Sequence, residues 1–306
     1  MAIAKYIKEI GRGKDGARAL SREQAQDLFG QVLDGMVTDL EIGAFCLAMR
    51  IKGETAQEMA GFLDATYQRL HPVPAADRPL IVIPSYNGAR KLPLLTPLLA
   101  LLLARAGLRV LVHGAASEST RVFTADVFAA LDIAPASSIG SVAEGTVVFT
   151  PTALLCPGLH RLLEVRRVVG LRNPAHSLVK LMNPGEGSNL LVSSYTHPEY
   201  AVSMAETFKL MGSSALLLRG TEGEAVADPR RQPKMELFLH GAPQTLQQAQ
   251  TGSLDSLPEL PRAIDPASTA RYIQAVLAGD TPVPEPIATQ VVHIVQAEKQ
   301  LRRSAA

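Results

Sequence analysis

The 306-residue sequence has no long apolar run, only two cysteines and almost no net charge. Its longest apolar stretch, Leu94 to Ala104, contains Pro97 and falls well short of the roughly 20 residues that a membrane-spanning helix requires. The first nine residues carry Lys5, Lys8 and Glu9 where a secretion signal would have its apolar centre, so a cytoplasmic protein with no membrane partner is expected. Cys46 and Cys156 lie in apolar stretches with no histidine or cysteine at metal-ligand spacing. Both read as reduced packing residues, not as catalytic or disulfide groups. With 30 Lys plus Arg against 29 Asp plus Glu, the chain as a whole does not advertise a polyanionic partner, and only local clusters could supply one. Hydrophobic residues at 47% and charged residues at 19% exclude a disordered chain and suit one large domain or two smaller ones.

Local clusters are present. The first two dozen residues hold Lys5, Lys8, Arg12, Lys14, Arg18 and Arg22, and a second stretch holds Arg161, Arg166, Arg167, Arg172 and Lys180. Taken alone, either run reads as a solvated helix face.

Three capping boxes mark helix starts in the first seventy residues: Ser21 with Gln24, Thr38 with Glu41, and Thr55 with Glu58. Each is followed by apolar residues at helical spacing, and Gly35, Gly53 and the His71–Pro74 segment stand where helices would stop. Beyond Pro79 the pattern alternates. Strands are predicted at 80–83, 108–113, 146–150, 190–193 and 215–219, and helices at 94–106, 120–131, 154–169 and 198–211. Residues 241–266 read as a long surface loop, followed by helices at 267–278 and 287–301. The predicted fold is α/β, with a small all-helical N-terminal domain and a larger α/β domain around a mostly parallel central sheet. The boundaries fall at 1–72 for the helical domain, with an excursion at about 153–186, and 77–306 for the α/β domain.

In such sheets the first βα loop is the usual phosphate site, because its backbone N–H groups can converge on an anion. Here that loop runs from Pro84 to Lys91 and offers one glycine, Gly88, with Tyr86 and Asn87 in its middle. It is a poor main-chain cradle. Arg90 and Lys91 offer side-chain contacts to phosphate instead.

The order of these features, with Val112-His113-Gly114, Val168-Val169-Gly170-Leu171-Arg172 and Leu181-Met182-Asn183-Pro184, resembles the anthranilate phosphoribosyltransferase family over about residues 6–224. The resemblance implies that family's two-domain fold and a homodimer formed through the helical domains. It also exposes three departures. The family's Gly-Thr-Gly-Gly-Asp loop is replaced by Ser85-Tyr86-Asn87-Gly88-Ala89, its Asn-Arg pair by Ala115-Ala116, and its magnesium-holding Asp-Glu pair by Ala225-Val226. Glu222 and Glu224 lie close to the last of these and read as loop acids rather than as substitute metal ligands. Arg172 matches the family's acceptor-side arginine, so it reads either as a surviving anion contact or as a hinge-packing residue.

Longer strings are similar to a non-enzymatic branch of the same superfamily, glycosyl transferase family 3. They include Ile7 to Lys14, Ile51 to Glu54, Ile81 to Lys91, His197 to Tyr200 and Gly220 to Glu224. That resemblance implies sequence-independent binding of DNA or RNA in an electropositive groove, with no cofactor, metal or catalytic residue. The expected contacts are Arg12, Lys14, Lys52, Arg90, Lys91, Arg166, Arg167 and Arg172 to phosphates, with Asn87 from the same loop and Tyr86 stacking on a base. The alternative is a glycosyl or phosphoribosyl transferase, or a nucleoside phosphorylase, working through a rebuilt loop. His113 and His197, with no nucleophile or carboxylate beside them, read as structural.

Overall fold

The computed structural model describes residues 3–13, 15–116, 120–254 and 257–305. The chain begins with four helices, α1 (Ala4–Ile10), α2 (Arg22–Leu33), α3 (Asp39–Lys52) and α4 (Ala56–Tyr67). All three capping boxes form. In each, the Ser or Thr hydroxyl accepts from the N3 amide while the N3 side chain accepts from the cap's own N–H. Phe29, Phe45 and Phe62 meet at the centre of the bundle, with the Phe29 and Phe62 rings stacked 4.6 Å apart.

Helices α2 and α4 approach closely because Gly61 has no side chain. A Cβ there would lie 2.2 Å from the Arg22 carbonyl oxygen and 2.8 Å from the Ala25 Cβ, and neither neighbour is a flexible side-chain end. Gly61→Ala therefore forces the helices apart and is expected to cost about 1–3 kcal/mol despite the better helix propensity of alanine. A thermal melt that left Tm unchanged or raised it would contradict this close packing.

The α/β part follows with β1 (Leu80–Ser85), α5 (Thr96–Arg105), β2 (Arg109–Gly114), α6 (Thr124–Ala130) and β3 (Val147–Pro151). Next come α7 (Thr152–Leu155), α8 (Pro157–Val169), α9 (Ala175–Leu178), β4 (Asn189–Tyr195), α10 (Pro198–Met211) and β5 (Ala215–Arg219). The chain closes with β6 (Met235–Leu239), β7 (Ala242–Gln247), α11 (Pro266–Ala278) and α12 (Glu285–Ala305). The seven strands run in the order β3-β2-β1-β4-β5-β6-β7; the first five pair parallel, and β6 pairs antiparallel with both β5 and β7. The chain builds outward from β1 to β3 and then returns to place β4 on the other side of β1. The β1/β4 boundary is thus the switch point, where a parallel sheet opens a crevice at its carboxyl edge.

Three expectations change. The loop predicted at 241–266 contains a strand, β7, which pairs with β6 as the outermost hairpin. Four of its six residues are exposed and it carries Pro243, so no apolar alternation betrayed it; an edge strand tolerates both. The helix predicted at 154–169 breaks at Cys156, whose extended φ of −153° precedes Pro157. The helix predicted at 120–131 is shorter, spanning Thr124–Ala130.

The segment after β3 leaves the sheet and packs on the helical bundle. Gly158 of α8 sits against the Leu33 backbone, Arg161 donates to the Leu33 carbonyl at 2.8 Å, and the His71 N–H donates to the Leu155 carbonyl at 2.8 Å. Both cysteines are buried, and burial pushes the Cys46 thiol up to about 11. Among the described residues, no helix is long and apolar enough to cross a membrane.

Candidate functional site

The crevice at the switch point is built from the loop after β1 and the turn after β5. That turn, Thr221–Gly223, pushes two carboxylates into the first βα loop. Glu224 is 1% exposed and accepts from the backbone N–H groups of Asn87 and Gly88, each at 2.7 Å, from the Ser85 hydroxyl and from the Thr96 hydroxyl at 3.2 Å. Glu222 lies further out, half-buried, and accepts from the N–H groups of Arg90 at 3.2 Å, Lys91 at 2.8 Å and Leu92 at 3.0 Å. The main-chain donors that converge in this loop are thus met by the protein's own carboxylates. The loop-acid reading of Glu222 and Glu224 agrees with this geometry.

The turn is locked from below. The Asn87 amide donates to the Glu222 carbonyl at 2.9 Å, while the Gly223 carbonyl accepts from Lys180 Nζ and from the Ser194 hydroxyl, both at 2.8 Å. Gly223 has φ 87°, and a Cβ there would fall 2.0 Å from Asn87 Nδ2, so only glycine fits. Burial pulls the Lys180 ammonium down to about 8, against the opposing pull of Glu224.

Two loop residues proposed for strand contact are already committed. Tyr86 is 5% exposed, and its hydroxyl lies 2.7 Å from both His113 Nδ1 and Thr152 Oγ1. Thr152 donates to the Gly114 carbonyl, so Tyr86 donates to Thr152 and accepts from His113. The ring is packed inside and cannot stack on a base. Asn87 is 6% exposed, with its amide spent on Glu222. His113 is structural, as expected: it is fully buried, and burial lowers it to about 3. His197 stands at the N-cap position of α10 without a side-chain capping bond and lines the interdomain cleft described below.

The basic residues divide. Arg90 and Lys91 are exposed at the rim of the loop. Arg121, not singled out in the sequence, donates to the Gly88 carbonyl at 3.3 Å, while Ala89 bridges Val122, so the segment after β2 lies alongside the first loop. Arg167 pairs with Glu164 at 2.8 Å and donates to the Ala116 carbonyl at 3.1 Å, which brings the end of α8 to the same edge. Arg166 and Arg172 both depress His176, which burial lowers to about 4, and Arg172 also depresses Lys180. Arg172, His176 and Lys180 line a cleft of about 430 Å³ between the helical bundle and the sheet, together with Arg50 and Glu54. The second basic stretch and the loop therefore share one edge of the molecule.

The first basic stretch contributes less. Lys52 is 2.6 Å from Glu58, a fully buried carboxylate that also accepts from the Leu20 N–H; only 8% of the Lys52 side chain is exposed, so it is a structural ion pair. Arg12 pairs with Glu9 at 2.7 Å at the end of α1. Lys14 lies outside the described residues.

Ala225 and Val226, where the resemblance places a magnesium-binding pair, are each 1% exposed in the apolar core. Gln290 of α12 clamps this stretch, accepting from the Ala227 N–H at 2.8 Å and donating to the Ala225 carbonyl at 3.0 Å. Their side chains offer no oxygen ligand to magnesium, their carbonyls accept from Gln290 and Thr221, and the neighbouring glutamates are bound to backbone donors. Among the described residues, no group of three or more His, Cys, Asp or Glu is arranged to hold a metal ion.

Residues 4–69 match the helical bundle domain of the glycosyl transferase family. The chain is 44% identical to the protein YbiB of Escherichia coli, itself described as uncharacterized, over 95% of this chain and 92% of that one. It is 28% identical to an anthranilate phosphoribosyltransferase of Nocardioides over 86% of this chain and 78% of the enzyme. Among solved structures, an anthranilate phosphoribosyltransferase from Thermus thermophilus superposes with a TM-score of 0.73 at 22% identity, covering 97% of this chain and 89% of the other. The enzyme from Saccharomyces cerevisiae, solved with PRPP and magnesium, gives 0.70 at 15% identity with the same coverage. The fold is thus that of a phosphoribosyltransferase: a helical bundle joined to a mostly parallel α/β domain. The chain belongs to the anthranilate phosphoribosyltransferase-like superfamily, glycosyl transferase family 3.

Proposed function

We propose that this protein is a non-enzymatic nucleic-acid-binding member of the superfamily, which grips the phosphate backbone of DNA or RNA without reading its sequence. The observation that carries the reading is the filling of the diphosphate loop by Glu224. A carboxylate that is 1% exposed and held by four donors leaves no room, and no free donors, for a diphosphate in the inner part of the loop. Transfer from a phosphoribosyl diphosphate needs donors aimed at the departing charge, and a negative carboxylate in their place opposes it. Beside the plug the rim is basic, with Arg90 and Lys91 exposed on the loop, Arg167 exposed beyond it and Arg166 and Arg172 half-buried. Separated cations along an edge suit a chain of phosphates.

The test is a titration of a labelled single strand at several salt concentrations. Affinity should fall steeply with salt, by about 0.7 in the log–log slope for each phosphate contact. No binding at low salt, or tight binding indifferent to salt, would sink the reading. Release of diphosphate from phosphoribosyl diphosphate in the presence of magnesium and an amine acceptor would favour a transferase instead.

The protein is also proposed to form a homodimer through its helical domain. Leu40, Leu47 and Ile51 of α3 lie on one face at helical spacing and are 83%, 49% and 57% exposed; Met36 just before the helix is 67% exposed. A stripe of this kind on a stable soluble domain is normally covered. Replacing Leu40 and Leu47 together by Glu should convert a dimer into a monomer in sedimentation analysis at micromolar protein. An unchanged mass would place the interface elsewhere.

A further inference from the structure

We infer that the N–H groups of Arg90, Lys91 and Leu92 form a latent phosphate seat, held closed by the protein's own Glu222 and opened when a phosphate group displaces that carboxylate. Part of the argument rests on the nucleic-acid reading above, because a strand is one source of such a phosphate; a free phosphate ion is the other. The seat itself stands on geometry alone.

Three successive main-chain donors point at one carboxylate oxygen region, at 3.2, 2.8 and 3.0 Å. Such a concavity of amides is selective for anions but indifferent to whether the anion is a carboxylate or a phosphate. Exchanging one for the other conserves every hydrogen bond. A phosphate has more acceptor oxygens than a carboxylate and carries at least as much charge, so the exchange favours the incoming group wherever its concentration suffices. Cations already surround the spot: Arg90 and Lys91 are exposed on the loop, and Arg230 is close enough for Glu222 to raise its pKa.

The two glutamates differ in the ways that make one permanent and the other exchangeable. Glu224 is sealed from solvent and bonded to side-chain hydroxyls as well as amides. Glu222 is partly exposed, and among the described residues the donors to its carboxylate are main-chain amides of a single loop. It also sits at φ 53°, a left-handed conformation that residues with a Cβ adopt reluctantly. Releasing the Glu222 side chain leaves the turn held by its own carbonyl contacts, whereas releasing Glu224 would open the core. Because the open form is only a fraction of the population, wild-type affinity for phosphate is reduced by that fraction, and removing Glu222 removes the penalty.

The experiment is calorimetric titration of the full chain with inorganic phosphate and with pyrophosphate. Glu222→Gly, which suits the left-handed backbone, should bind both at least tenfold more tightly than the wild type. Glu222→Gln, nearly isosteric but uncharged, should show a smaller gain in the same direction, and adding Lys91→Ala to Glu222→Gly should reverse part of it. If both single variants melt cooperatively and neither binds phosphate more tightly than the wild type, the seat is overturned. A parallel strand titration separates the two readings. A phosphate gain with no strand binding by any form leaves the seat standing and overturns the nucleic-acid reading. Strand binding equal in all forms, with no phosphate gain, overturns the seat and leaves the nucleic-acid reading intact.

Discussion

Replacing Arg90 and Lys91 together by alanine is expected to weaken single-strand binding roughly 25-fold at about 0.1 M salt. Each phosphate contact to a single strand contributes about 0.7 to the log–log salt slope, so at a tenth of molar salt each is worth about fivefold, and two multiply. The slope itself should fall by about 1.4, which is the more diagnostic number because loss of a non-electrostatic contact would leave it unchanged. The weakening should be the same for strands of different sequence, since phosphates carry no sequence information. Both side chains are exposed and their backbone amides are held by Glu222, so the variant should fold with an unchanged Tm. Equal affinity of variant and wild type across the salt series would remove this loop from the interface. A weakening confined to some sequences would mean that it reads bases.

Replacing Glu224 by alanine should be among the most destabilising single changes in the α/β domain. The carboxylate is buried, and its loss strands the N–H groups of Asn87 and Gly88 and the hydroxyl of Thr96, while the Ser85 hydroxyl keeps only Thr124. Orphaned buried donors cost about 1–3 kcal/mol each before relaxation, and removing one partner from a buried charged network costs about 3–5 kcal/mol in total. At about 2–4 °C per kcal/mol, Tm should fall by roughly 10 °C. Glu222→Ala, at the exposed rim, should lose far less. Lys180 supplies a second readout. Its pKa is held up by Glu224 against burial, so in the alanine variant it should drop below about 8, and lysine modification should set in at lower pH. A Tm change under 2 °C, with Lys180 unmoved, would mean that the carboxylate is not the keystone of the loop.

Much of the fold was legible from local chemistry. The capping boxes at Ser21, Thr38 and Thr55 depend on residues three positions apart, and all three helices start where those pairs stand. The strand expected at 80–83, which runs on to Ser85, and the helix at 198–211 follow from an apolar run and from Pro198 at a helix start. The outer strand β7 was not legible, because an exposed polar edge strand carries no periodic signal. The site was legible mainly in what it lacks. The poor glycine content of the first loop, and alanine or valine at 115, 116, 225 and 226, could be read directly. Tyr86 and Lys52 illustrate the limit. A loop tyrosine and a surface-pattern lysine carry no sequence mark of burial, yet one is packed on His113 and the other on Glu58.

By itself, the sequence determined which donors the first loop would possess and which metal ligands the chain would be without, because residue identity decides both. Only the tertiary structure decided what meets those donors. Glu222 and Glu224 are about 130 residues away along the chain from the amides they bind, and their approach depends on β4 lying beside β1, on β5 lying beside β4 and on Gly223 adopting a backbone open to glycine alone. Contacts of that range are set by the order of strands in the sheet, and no local pattern encodes them.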